Sequence, residues 1–145
     1  MKKIFIFLFL LSLCVSSQNY KQANNYISIG FLDHKTGSSA IGYTRSILQN
    51  KNNELFLGFG SMIAINTFTM GYKKYLFRSF VDGYSVISMQ KAYGMGGEVN
   101  AAFLSIGLEK KIWKLLFING GVNVTRPLNV SHFLTFPSLN LNIRY

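Results

Sequence analysis

Apolar and polar residues alternate along this chain with a period of two, segment after segment. Ile27, Ile29 and Phe31 oppose Ser28 and Gly30, and Ile41, Tyr43 and Ile47 oppose Gly42, Thr44 and Ser46. Leu55, Leu57 and Phe59 oppose Phe56, Gly58 and Gly60, while Phe68, Met70 and Tyr72 oppose Thr67, Thr69, Gly71 and Lys73. Further on, Ala102, Leu104, Ile106 and Leu108 face away from Phe103, Ser105, Gly107 and Glu109. Leu116, Ile118, Val122 and Val124 likewise oppose Phe117, Asn119, Gly121, Asn123 and Thr125. The closing stretch, LNLNIRY, sets Leu139, Leu141, Ile143 and Tyr145 against Asn140, Asn142 and Arg144 up to the last residue. Successive side chains of a strand point to opposite faces, so each segment predicts a strand with one apolar face. One more strand is needed over residues 83–93, GYSVISMQKAY, where Ile87 and Met89 fall out of step. That makes eight.

Pieces rich in Asn, Gly, Ser and Lys separate the strands: DHKTGSS, QNKNN, YGMGGEVN, EKKIWK and RPLNVSHFLTFP. Such spacing marks a sequential up-and-down sheet in one domain. Pro127 and Pro137 are both expected in the last connection, where neither removes a ladder hydrogen bond.

The chemistry of the two faces decides what surrounds the sheet. The water-facing side of a soluble sheet carries many Lys, Glu, Asp and Arg. Here the polar parity is Gly, Ser, Thr, Asn and Ala, with charges almost only at segment ends. Small uncharged residues suit the inside of an eight-stranded barrel, which has space for side chains and little else. Leu, Ile, Val, Phe and Met suit hydrocarbon, and lipid leaves no backbone group unpaired, so a sheet there must close on itself. Closure explains the alternation at the C-terminus: the last strand zips to the strand starting near Tyr26. Tyr26, Tyr43, Tyr72 and Trp113, with Tyr75, Tyr93 and Tyr145, cluster near segment ends, where amphipathic rings form a girdle at headgroup level. The expected fold is all-β, an eight-stranded antiparallel up-and-down transmembrane β-barrel.

The first residues add export. Lys2 and Lys3 precede an apolar run from Ile4 to Val15 and then small polar residues, the order of a secretory signal peptide. The run is shorter than the roughly 20 residues of a helical span. Val15 and Ser17 suit a cut after Ser17, leaving residues 18–145 as the barrel domain. Lipoprotein processing at Cys14 would want a small residue where Leu13 stands. Cys14 is the only cysteine, so the processed chain would have no disulfide. Fifteen Lys and Arg against five acids give a net charge of +10. The doublets Lys73-Lys74 and Lys110-Lys111 sit between apolar segments, which reads as membrane-flanking charge and excludes a continuous nucleic-acid face.

With these features the chain resembles the small bacterial outer-membrane β-barrel proteins of the eight-stranded kind. The likeness covers residues 18–145 and is strongest at LNLNIRY, which looks like that family's C-terminal assembly signal. It implies a Gram-negative cell outer membrane, outer-membrane lipids as surroundings, and a barrel assembly machinery that reads Leu139, Leu141, Ile143 and above all Tyr145. With a periplasmic N-terminus, residues 34–39, 64–66, 94–100 and 126–137 face outward, and Lys51, Lys74, Arg78, Lys110, Lys111 and Lys114 lie on periplasmic turns. Arg45 has lipid-facing parity; an Arg costs roughly 2–4 kcal/mol at the midplane and about 0–1 near the interface, so it is expected to lie low and snorkel rather than flip at a bulge.

Candidate chemistry is sparse. Lys73, Glu109 and Arg144 have inward parity at one end of strands four, six and eight. Charges in a narrow barrel are expensive unless paired, so Glu109, taken as the only inward acid at that end, is expected to bridge both cations. Inward Phe56, Phe103 and Phe117 would block a general diffusion pore. Ser131 and His132 are adjacent and would point oppositely on a strand, which does not make a hydrolase pair. Asp33 with His34 is a pair and not a metal-ligand set, and GMGGEV lacks the Lys-Ser/Thr of a phosphate loop. No catalytic, cofactor or metal site is expected. The expected function is a small non-enzymatic outer-membrane barrel with an envelope-structural or surface-loop binding role. A lipid-modifying barrel enzyme would instead work through Ser131 and His132. A soluble periplasmic ligand-binding barrel would need Leu and Phe inward and Ser and Gly outward.

Overall fold

The computed structural model describes residues 24–94, 96–129 and 131–145; the signal peptide read over residues 1–17 lies outside the described residues. Eight strands follow in order: β1 (Asn25–Phe31), β2 (Ile41–Gln49), β3 (Asn53–Met62), β4 (Ile65–Phe77), β5 (Asp82–Gly94), β6 (Gly97–Lys111), β7 (Leu116–Pro127) and β8 (Leu134–Arg144). Each pairs antiparallel with the next, and β8 returns to β1 to close a barrel. The start of β1, the end of β8 and the β2–β3, β4–β5 and β6–β7 turns share one end, called lower here.

Faces follow parity. On β4, Thr67, Thr69, Gly71, Lys73 and Tyr75 are buried inside, while Phe68, Met70 and Tyr72 lie on the outer wall. The result is inverted relative to a soluble domain: a polar interior within a wall of exposed Ile, Leu, Phe, Val and Met. Residues β-branched or aromatic on one face and small on the other favour such a pleated wall. The seam runs from Tyr26↔Arg144 to Phe31↔Leu139. Asn25 N–H donates to Tyr145 O (3.2 Å) and Tyr145 N–H donates to Asn25 O (3.0 Å), so the last residue is held by a two-way backbone bond.

Some local expectations change. Tyr26 is not a girdle residue: it has the parity of Ser28 and is buried in the lumen, as is Tyr75. Tyr43, Tyr72, Tyr93, Trp113 and Tyr145 are exposed. On β5 the outward residues are Ile87 and Met89, and the exceptions are Tyr84 and Val86, which turn inward. Connections are shorter than the sequence indicates, with β5 to β6 joined through residues 95–96 and β7 to β8 through 128–133. Pro137 therefore lies within β8, opposite Val122. It is tolerated because β1 accompanies β8 only as far as Leu139, leaving one edge of β8 open there. Arg45 faces outward opposite Asn25, the first residue of β1, and the bulge between Ser46 and Leu48 comes after it. That bulge puts both Ile47 and Leu48 on the outer wall.

Candidate functional site

The sequence reading places residues 34–39 outside the barrel; the structure folds this β1–β2 connection into the lumen. Asp33, His34, Lys35, Thr36 and Ser39 are buried. Asp33 organises the turn: its carboxylate accepts Lys35 N–H and the Thr36 hydroxyl (3.2 Å each), and its carbonyl accepts Gly37 N–H (2.6 Å). Gly37 takes φ +74°, a left-handed conformation that suits glycine. The inner wall is cut away to receive the turn. A Cβ at Gly42 would strike Thr36, one at Gly60 would strike Ser39, and one at Gly58 would fall on the Lys35 carbonyl oxygen. Thr67 Oγ1 donates to Thr36 O (2.6 Å) and Asn123 Nδ2 donates to Leu32 O (2.9 Å), tying this plug to β4 and β7.

Lys35 carries the plug's charge downward. Its Nζ donates to Glu54 Oε1 (2.6 Å), which also accepts the Ser46 hydroxyl, and it lies 3.7 Å from the centre of the Tyr26 ring. A charged amine over an aromatic face is attracted by the ring quadrupole. Glu54 has inward parity at the lower end, so Glu109 is not the only inward acid there; Asp82 is a third, accepting Ser79 N–H (3.2 Å). Parity alone would have shown both.

The structure brings Lys73, Glu109 and Arg144 together. Lys73 Nζ donates to Glu109 Oε2 (2.8 Å), Arg144 meets the same oxygen, and Tyr75 hydroxyl donates to Oε1 (3.0 Å). Rotating the Asn119 amide lets its nitrogen donate to Oε2 as well (3.0 Å). Aromatic rings enclose both cations. Lys73 lies 4.1 Å from the Tyr84 ring centre, and Arg144 lies 3.8 Å from that of Phe117 and 5.0 Å from that of Tyr26. Tyr26 thus stands between the Lys35 and Arg144 networks. His34 is packed against Tyr84 with ring centres 4.6 Å apart, and its Nδ1 is 3.3 Å from both the Tyr84 hydroxyl and Asp33 Oδ1. Tyr84 and Val86 share the inward parity of Ser88 and Gln90, and Tyr84 meets His34 of the plug and Lys73 of β4 there.

Chemically, the Lys35–Glu54 and Lys73–Glu109–Arg144 networks pair buried charges of opposite sign. Each buried carboxylate of the two networks is matched by amines, guanidinium or hydroxyls, and solvent reaches none of them appreciably. Phe56, Phe103 and Phe117 are buried in the lumen. Above it, on the tall side of the wall, a cavity of about 180 Å³ is lined by Ser38, Gln90, Ala101, Phe103, Thr125 and Phe136, among others. Ser131 and His132 are exposed on the β7–β8 connection, away from the interior networks. Leu139, Leu141, Ile143 and Tyr145 line the outer face of β8 and its end. No group of three or more His, Cys, Asp or Glu side chains among the described residues is placed to hold a metal ion. No protein-family model matches the sequence, and no curated protein matches it either.

Proposed function

We propose that the chain is a small non-enzymatic barrel of a Gram-negative outer membrane, closed to general diffusion, with an envelope-structural or surface-binding role. One observation carries the reading: a closed barrel whose outer wall is apolar and whose interior is polar and charged. In water such a wall would expose a continuous apolar surface far beyond the few hundred Å² that soluble monomers show. In lipid it is solvated, and the β1–β8 seam joins the two edges that an open sheet would expose there. The same distribution disfavours a soluble ligand barrel, which needs Leu and Phe inside. The cell exterior would meet the upper end, with the β7–β8 connection and the cavity above the plug as its contact surface.

Sidedness tests the reading. A cysteine at Asn129 should react with a membrane-impermeant reagent in intact cells, whereas one at Lys51 should react only after the envelope is opened. Equal labelling of both in intact cells would overturn the placement. Purified protein in planar bilayers is expected to show no steady conductance of porin size, because the plug and the inward rings occupy the lumen; an ohmic porin-like step would contradict a closed barrel.

A further inference from the structure

Outside the lumen, the side chains of the lower rim carry charge of one sign. Lys51, Lys74, Arg78, Lys110, Lys111 and Lys114 surround it. Of the five acids, Asp33, Glu54, Asp82 and Glu109 are buried inside, and Glu98 pairs with Lys91 at the opposite end (2.8 Å). One part of this rim adds an apolar groove. In the β6–β7 turn Leu116 N–H donates to Trp113 O and Trp113 N–H to Leu116 O (3.2 Å each), and Arg144 N–H donates to Leu115 O (2.9 Å). These bonds fasten the turn to the foot of β8 and leave Ile112, Trp113 and Leu115 exposed, Trp113 at 71 %. Beside them lies a groove of about 440 Å³ lined by Trp113, Lys114, Leu115, Leu116 and Ile143. All of its lining is apolar except Lys114. Lys110 and Lys111 precede the turn on the same rim, their amines 3.7 Å from the Phe80 ring centre and 5.9 Å from that of Phe117.

We infer that this groove binds an anionic phospholipid, its acyl chain against Trp113, Leu115, Leu116 and Ile143 and its phosphate on Lys114. The inference rests on the membrane reading above. Charge complementarity selects the headgroup. Like charges crowded on one rim repel one another, and an anion relieves that repulsion while a zwitterionic lipid brings an ammonium that no exposed Asp or Glu at this end can receive. The apolar lining selects a lipid over a free anion, since a phosphate alone would leave the groove unfilled.

Trp113 is the only tryptophan, so its fluorescence reports on the groove itself. The protein is folded into phosphatidylcholine bilayers containing a minor fraction of lipid brominated on its acyl chain, with either a phosphatidylglycerol or a phosphatidylcholine headgroup. At equal mole fraction the brominated phosphatidylglycerol should quench Trp113 about twofold more or better, given Lys114 at the groove and the basic rim around it. The variant Lys110→Gln/Lys111→Gln/Lys114→Gln should bring the two lipids level, and Lys114→Gln alone should narrow the gap if the triple variant does not fold. Molar salt should narrow it too. Equal quenching in the parent overturns the site while leaving the membrane reading intact. No quenching by either lipid overturns the membrane reading and the site with it. Inorganic phosphate that closes the gap more than chloride of equal ionic strength would mark a free-phosphate site and overturn the lipid.

Discussion

Glu109→Gln is expected to lower the stability of the folded barrel by roughly 3–5 kcal/mol, the cost of removing one partner from a buried ion pair. Glu109 is fully buried and serves two cations, so the neutral amide strands both Lys73 and Arg144 inside the barrel. The substitution keeps the side chain's shape and an acceptor for Tyr75, which isolates the charge as the cause. Arg144→Ala should cost less, because Lys73 still neutralises Glu109, although the packing of its guanidinium on Phe117 is lost. The two effects should not add, since they remove parts of one network. Urea unfolding of bilayer-folded protein measures both. A Glu109→Gln midpoint equal to that of the parent would show that the cluster contributes nothing.

The second large effect is expected from Gly58→Val, which should drive the plug out of the lumen. Its side chain would occupy the position of the Lys35 carbonyl oxygen, a backbone atom that cannot step aside without moving the turn. Overpacking of this kind costs roughly 1–3 kcal/mol, which raises the undocked fraction about 5- to 150-fold at 1.4 kcal/mol per factor of ten. Undocking also breaks Lys35 from Glu54, so the amine leaves the barrel and Glu54 stays behind uncompensated. A cysteine placed at Ser39, buried in the parent, reads the change through its labelling rate. Similar rates in the Gly58→Val and parent backgrounds would mean that the plug is not seated by the glycine socket.

The strands and their faces were legible in the sequence because alternation is a property of each strand alone. Side chains two apart share a face whatever the neighbours are, so Thr67 to Lys73 and Asn140 to Arg144 could be turned inward from the pattern alone. The Lys73, Glu109 and Arg144 parity followed from the same rule, as did the pairing of the last strand with the first. That reading missed aromatic and apolar residues at positions of inward parity, where the lumen offers them partners from elsewhere in the fold. Tyr84 and Val86 turn inward, and Tyr84 stacks on His34 from the plug and lies over Lys73 of β4. Tyr26 is drawn from a girdle role into the lumen by its own parity and by Lys35 above its ring. The plug was the least legible feature. DHKTGSS has the composition of any exposed turn, and nothing within it tells that Gly42, Gly58 and Gly60 leave a space of its size or that Glu54 waits 19 residues on for Lys35. The periodicity of the chain by itself determined which residues form the wall and which face the lumen. Only the closed barrel decided what fills that lumen, because the space and the opposite charges that hold a loop inside come from strands that meet it only after folding.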